Sequence, residues 1–291
     1  MTTATTRTTL RLGLPKGRME PGVVQLLADA GIRVTPTARS YRPTISLPET
    51  EAKTLKPQNI VEMLALGRRD LGFAGADWVE EMEADLVELL DTGLDPVHVV
   101  AAAPETLLEN GRLPDRRLVV TSEYERLAQR WIASRGLDAE FARSYGATEV
   151  FPPEDADLIV DNTATGATLL ANDLVIVDTL LRSSTRLYAS PEAMLDPARR
   201  GRIEDITLLL RSVLEARRRV MVEVNAPADR LAAVVALLPC MREATVSPLY
   251  GDAGFAVKAA VPREQLPRLI PQVKAAGGTD LVVTAIAQIV P

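Results

Sequence analysis

The sequence predicts an α/β protein carrying a separate α+β tail, and three observations lead there. Three segments repeat one local plan of apolar run, glycine-bearing turn and helical period, near residues 10–31, 70–81 and 157–172. Such repetition is the mark of an open α/β sheet built from strand–turn–helix units. The tail follows a different rhythm, βαββαβ, which predicts a four-stranded antiparallel sheet backed by two helices, a ferredoxin-like unit. With 291 residues, 47% of them hydrophobic, the chain can bury cores for two or three domains.

Taken in order, a strand at 10–14 runs into Pro15-Lys16-Gly17-Arg18, and Val23, Val24, Leu26, Leu27 and Ala30 mark a helix closed by Gly31. Two cations around a glycine suit phosphate oxygens, Arg18 in bidentate fashion, and equally suit a solvated surface loop. A helix at 57–68 opens on Pro57, and a buried strand at 70–74 enters Gly75-Ala76-Asp77. There Asp77 either joins a ligand turn or caps the next helix. Strands at 86–90 and 97–102 are separated by Asp91-Thr92-Gly93-Leu94-Asp95-Pro96, which reads as a loop and a lobe boundary. His98, in an apolar strand, reads as structural. A strand at 117–121, a helix at 124–134 ended by Gly136 and a strand at 138–143 begin a second lobe, and strands at 174–181 and 186–189 return to the first. A helix at 200–217 places Ile203, Ile206, Leu209, Leu210, Val213 and Leu214 on one face, and its basic end complements the helix dipole. In the tail, strands fall at 220–224, 245–249, 255–261 and 281–285, and helices at 228–237 and 265–275.

The most informative stretch spans residues 157–172. Leu158-Ile159-Val160 is an apolar strand closed by Asp161, followed by Asn162-Thr163-Ala164-Thr165-Gly166 and the helix-prone Ala167-Thr168-Leu169-Leu170-Ala171. The first N–H groups of a helix have no partner within it and carry partial positive charge, so a phosphate fits there. Gly166 lets an anion approach the backbone, and the hydroxyls of Thr163, Thr165 and Thr168 can donate to its oxygens. Asp161 would suit ribose hydroxyls or a magnesium ion instead. A capped βα turn without a ligand is the competing reading.

Composition excludes several classes. A formal net charge of −6 argues against a general nucleic-acid binder. Cys240 and His98 are each the single residue of their type, which leaves neither an intramolecular disulfide nor a Cys/His metal cluster. The polar lead-in MTTATTRTT lacks an apolar core, and no run of about 18 apolar residues follows. The expectation is an ordered cytoplasmic protein with no nucleic-acid or membrane partner.

The acid followed by Thr163-Ala164-Thr165-Gly166-Ala167-Thr168-Leu169 resembles the phosphoribosyl pyrophosphate loop of the ATP phosphoribosyltransferases. The likeness continues through Gly146-Ala147-Thr148-Glu149-Val150 and Ala171-Asn172-Asp173-Leu174, through PKGR in the first turn, and through DLGFAGADWVEE. In the tail, NAPADRL, ATVSPLYGD and GGTDLVVTAI resemble the regulatory domain of the long form. The resemblance implies a catalytic core of two lobes like the type II periplasmic binding proteins, followed by a regulatory domain. Lobe I would comprise residues 1–95 with 183–212, lobe II 96–182 and the regulatory domain 213–291. It further implies condensation of ATP with phosphoribosyl pyrophosphate, magnesium as cofactor, feedback inhibition by histidine, and dimers that associate to hexamers. On that basis Asp161, Lys16 and Arg18 are the candidate catalytic residues. Asp161 with Thr163, Ala164, Thr165, Gly166, Ala167 and Thr168 would hold phosphoribosyl pyrophosphate, and Asp161 would also meet the metal. Lys16, Gly17, Arg18, Gly75 and Asp77 would hold ATP, and Glu223, Thr245 and Thr284 the effector. One departure stands out: where the family shows RPxDI, this chain has Lys56-Pro57-Gln58-Asn59-Ile60, so Lys56 and Asn59 are left out of the site. A two-lobed binding or sensing protein without catalysis is the alternative.

Overall fold

The computed structural model describes residues 9–37 and 40–290, so the lead-in before residue 9 lies outside the described residues. β1 (Leu10–Pro15) leads into α1 (Met19–Asp29), and a hairpin of β2 (Val34–Thr37) and β3 (Ser40–Ile45) precedes β4 (Thr50–Leu55). α2 (Pro57–Ala65), β5 (Leu71–Gly75) and α3 (Ala76–Glu81) follow, then the long β6 (Val87–Pro104). β7 (Leu118–Ser122), α4 (Glu125–Arg135), β8 (Ala139–Arg143), β9 (Leu158–Thr163) and α5 (Ala167–Ala171) come next, and β10 (Leu174–Ala189) returns. α6 (Pro191–Leu195) and α7 (Pro197–Arg218) follow. β11 (Arg219–Ala226), α8 (Leu231–Leu237), β12 (Thr245–Pro248), β13 (Phe255–Pro262), α9 (Leu266–Ala275) and β14 (Thr279–Ala285) form the tail.

The chain divides into two compact units: residues up to Ala28 with Ile32–Glu204, and Asp29–Gly31 with Asp205 onward. In the first unit one sheet runs β4-β1-β5-β10-β6-β9-β7-β8. β4, β1 and β5 are mutually parallel at one end, and β8, β7 and β9 at the other. The β9 strand is covered on both faces. Leu158 and Val160 pack with Leu127, Ala128 and Trp131 of α4, while Ile159 packs with Leu169 of α5. That double burial accounts for its unbroken apolar run.

Two sequence expectations change here. Residues 86–102, expected as two strands around a loop, belong from Val87 onward to the single strand β6, and those at 174–181 and 186–189 form the single strand β10. The turn-forming side chains are spent across the ladder. Ser184 Oγ donates to Asp91 Oδ1 at 2.7 Å, Thr92 Oγ1 to the Thr185 carbonyl at 2.5 Å, and Thr185 Oγ1 to Asp95 Oδ2 at 3.1 Å. Register shifts on either side of Thr185 absorb the extra residues as bulges, so the pairing continues. The hairpin β2–β3 was not expected. Among the described residues its two strands pair with each other alone and are largely exposed, so no alternation of apolar residues announces it.

The second unit bears out the βαββαβ reading, with strand order β12-β13-β11-β14 and every neighbour antiparallel. Val220, Val222 and Val224 alternate inward with Val257, Ala259 and Val261 against Val234, Leu269 and Val273 of the helices. Among the described residues no helix is long and apolar enough to cross a membrane.

Candidate functional site

Register places the ligand turns. On β10 the carboxyl end of β5, Gly75, lies opposite Thr185 and its start, Leu71, opposite Ala189. On β6 the carboxyl end of β9, Thr163, lies opposite His98 and Ile159 opposite Ala102. The two groups of parallel strands therefore run in opposite senses, and both direct their carboxyl ends at the middle of the long β6–β10 ribbon. In open α/β sheets this is where ligands gather. His98, half-buried, sits at that middle between Thr163 and Arg182.

From the second lobe comes the threonine turn. Gly166 takes the left-handed conformation, φ 79°, at the start of α5, which a side chain would strain. Two of the N–H groups expected to face phosphate are engaged locally: Gly166 N–H donates to Thr163 Oγ1 at 2.9 Å and Ala167 N–H to Thr165 Oγ1 at 3.4 Å. The capped-turn reading thus holds for those two groups. Each threonine hydroxyl accepts through a lone pair and keeps its own proton to donate, and Thr168 and Leu169 supply the remaining first-turn N–H groups. Ala164, Thr165, Ala167 and Thr168 are exposed, and Thr163 and Gly166 half-buried.

Asp161 is the charged member of this turn. Its carboxyl is pushed up to about 6, chiefly by burial, with Glu149 and Glu123 adding repulsion and the Asn162 N–H opposing. That N–H donates to Oδ1 at 2.7 Å, and Asn162 Nδ2 lies 3.4 Å from the same oxygen.

From the first lobe come cations. Lys16, Gly17 and Arg18 are exposed after β1. Lys16 Nζ lies 3.3 Å from the Tyr41 hydroxyl, to which it donates, and 4.9 Å from the ring centroid. A cavity of about 500 Å³ is lined by Lys16, Gly17, Tyr41, Lys53, Leu55 and Lys56, without Arg18. Sequence reasoning missed Tyr41 and Lys53 and set Lys56 aside. Lys53 to Lys56 close a strand just before a proline-led helix, the same strand–turn–helix cue, and β4 is the parallel neighbour of β1.

Gly75 and Asp77 are corrections to the nucleotide set. Asp77 is 4% exposed and both its oxygens are occupied, Oδ1 by Ser183 Oγ at 2.6 Å and Oδ2 by Tyr124 OH at 2.6 Å. Gly75 is buried, and a Cβ there would meet Asp77 Oδ1 at 2.2 Å, so its role is to admit that carboxylate. In the tail, Glu223 and Thr245 both lie opposite Lys258, and Thr284 opposite Met221, so all three share the face away from the helices. The Glu223 carboxylate is already paired, accepting from Lys258 Nζ at 2.7 Å.

Fold and turns define a two-lobed α/β protein whose β9 turn offers hydroxyls, first-turn N–H groups and one carboxylate, and whose β1 and β4 turns offer lysines with an aromatic ring. Residues 56–212 match the family model described as ATP phosphoribosyltransferase, and residues 216–288 that of its C-terminal domain. The chain is 36% identical to an ATP phosphoribosyltransferase of Pelotomaculum thermopropionicum over 289 residues, 97% of this chain and 99% of that one. It is 36% identical over 277 residues to an ATP phosphoribosyltransferase of Chlorobium luteolum, covering 94% of each. A solved ATP phosphoribosyl transferase (HisG:HisZ) complex from Thermotoga maritima shares the fold, with TM-score 0.61 and 24% identity over 70% of this chain and 99% of that one. The chain belongs to the ATP phosphoribosyltransferase family of histidine biosynthesis, in its long form with a C-terminal domain.

Proposed function

We propose that the chain condenses ATP with phosphoribosyl pyrophosphate to phosphoribosyl-ATP and pyrophosphate, with the β9 turn holding the 5-phosphate and ribose and the lysine cavity holding ATP phosphates. The observation that carries this is the convergence of two unlike sets of strand ends on the middle of one ribbon. Thr163, Thr165, Gly166, Ala167 and Thr168 cradle the 5-phosphate, and Asp161 takes the ribose hydroxyls. So held, the ribose C1 faces the adenine N1 in line with the leaving pyrophosphate, an orientation that is worth several kcal/mol. As the C1–O bond breaks, positive charge grows on the ribose ring, beside Asp161, and negative charge on pyrophosphate, toward Lys16 and Arg18.

Magnesium belongs to this reading as a companion of the substrate. Among the described residues no three His, Cys, Asp or Glu side chains are grouped to hold an ion, while Asp161 offers one carboxylate beside Glu149 and Glu123. That donor set fits an ion carried in by pyrophosphate oxygens, with Asp161 as a further oxygen. The ion's contribution when bound is neutralisation of the leaving group.

Histidine is proposed to act through the outer sheet face at Glu223, Thr245 and Thr284, with Lys258 as the group whose ion pair a ligand carboxylate would open. Assembly of dimers into hexamers belongs to the same reading. The test is a magnesium-dependent reaction of the purified protein with ATP and phosphoribosyl pyrophosphate, following pyrophosphate and adduct mass with and without histidine. Adduct suppressed by histidine is the expected result. Binding of both substrates without adduct would favour the non-catalytic sensor, and adduct indifferent to histidine would remove the effector assignment.

A further inference from the structure

The Asp77–Tyr124–Asn162 chain has no place in substrate binding as described above, yet it ends on Asp161. Tyr124 is fully buried, its ring stacked on Trp78 with centroids 4.6 Å apart. Its N–H donates to Ser122 Oγ at 2.8 Å, and Ser122 Oγ donates to the carbonyl of Val160, the residue before Asp161, at 2.5 Å. The start of α4 is thereby tied to β9. Burial, with the Asp77 charge beside it, pushes the phenol well above its ordinary range, so it remains a hydroxyl.

The direction of each bond then follows from donor count. Asp77 only accepts, so Tyr124 gives it the single phenolic proton, at 2.6 Å. The phenol oxygen is left to accept, and it does so from Asn162 Nδ2 at 3.0 Å. That fixes the Asn162 amide with its NH₂ between Tyr124 and Asp161 Oδ1. Among the described residues Oδ1 takes both hydrogen bonds made to Asp161, from the Asn162 N–H and the Asn162 amide, and Oδ2 takes none. One oxygen is anchored and the other left for a ligand.

We propose that Tyr124, oriented by Asp77 and Ser183, is a positioning residue that acts through Asn162 to hold the Asp161 carboxylate at the angle the ribose requires. This rests on the reading of Asp161 as the ribose ligand. The donor and acceptor at each end come from different elements, Asp77 from the first turn of α3 and Asn162 from β9, so the phosphate turn is registered against the opposite lobe. A buried network in which every member is satisfied holds such geometry more tightly than an exposed pair.

The test is a double-mutant cycle on the full chain, measuring kcat and the KM of each substrate. Tyr124→Phe keeps the ring on Trp78 and removes only the hydroxyl. It should lower kcat by about tenfold and leave the KM for ATP unchanged. Asn162→Ala removes the amide while sparing the Tyr124–Asp77 bond, and should give a similar loss that Tyr124→Phe does not deepen. In an Asp161→Asn background, Tyr124→Phe should cost nothing further, since a group acting through Asp161 has nothing left to orient. Full kcat in Tyr124→Phe, or the same fold loss with and without the Asp161 carboxylate, would overturn the proposal. An Asp161→Asn enzyme with wild-type kcat would overturn the reading of Asp161 itself, a result distinct from either.

Discussion

The turn after β9 and the turns after β1 and β4 follow the same strand–turn–helix plan and treat their polar groups in opposite ways. After β9, the acid is half-buried and anchored through Asn162, and two threonine hydroxyls are locked onto backbone N–H groups. After β1, the Lys16 ammonium donates to the exposed Tyr41 hydroxyl and lies over its ring, and Lys16, Gly17 and Arg18 are exposed. The first arrangement is organised before any ligand arrives and the second must be ordered by its ligand, which costs side-chain entropy. The difference suits the two tasks proposed for these turns. A ribose has to be held at one angle for substitution at C1, whereas a run of phosphates can be met by charge alone.

Breaking the organised turn should give the largest effect. Gly166→Val forces a β-branched side chain into φ 79° and displaces the start of α5. A fall of roughly 10³-fold in kcat/KM for phosphoribosyl pyrophosphate is expected, with the KM for ATP little changed. Asp161→Asn, which keeps the shape of the turn, should cost about 10²-fold in kcat. It should also stabilise the fold. The carboxyl is raised from an ordinary 3.8 to about 6, so the stability it lends is whole below the lower value and is lost as pH rises through the upper one. Unfolding free energies of the Asn variant and the parent should therefore coincide below the ordinary carboxyl value and differ by about 1–2 kcal/mol in favour of the variant near neutrality, read from denaturant melts at the two pH values.

The opposite turn should respond more gently. Lys16→Met with Lys56→Met should raise the KM for ATP about tenfold, and the affinity difference from the parent should shrink as salt is added, because exposed cations are screened. The smallest effect belongs to the tail. Glu223→Gln breaks an ion pair whose members are about half exposed, 48% and 51%, so the melting temperature should stay within about one degree. Under the effector site proposed above, any change should appear in the response of the reaction to added histidine.

The same contrast explains what was legible in the sequence. The β9 turn announces itself because its chemistry is local: an apolar strand, an acid, threonines and a glycine within one run of residues. The lysine cavity does not, since Lys16, Tyr41 and Lys56 come together only when β4 pairs with β1 and the short hairpin folds over. The long strands were misread for a related reason. Asp91 to Pro96 carry every cue of a loop, and only their bonds to Ser184 and Thr185 on β10, far along the chain, convert that loop into bulges. Asp77 shows the limit of motif reasoning. A carboxylate after a glycine turn looked ready for a ligand, while burial and two close donors commit it to Tyr124 and Ser183.

The most direct test of this division of labour is a calorimetric titration of ribose 5-phosphate into the parent, the Gly166→Val protein and the Lys16→Met/Lys56→Met protein. The expected result is binding to the parent and the lysine variant with similar affinity, and none to the glycine variant. Binding lost in the lysine variant and kept in the glycine variant would place the 5-phosphate at the lysine cavity and contradict the account.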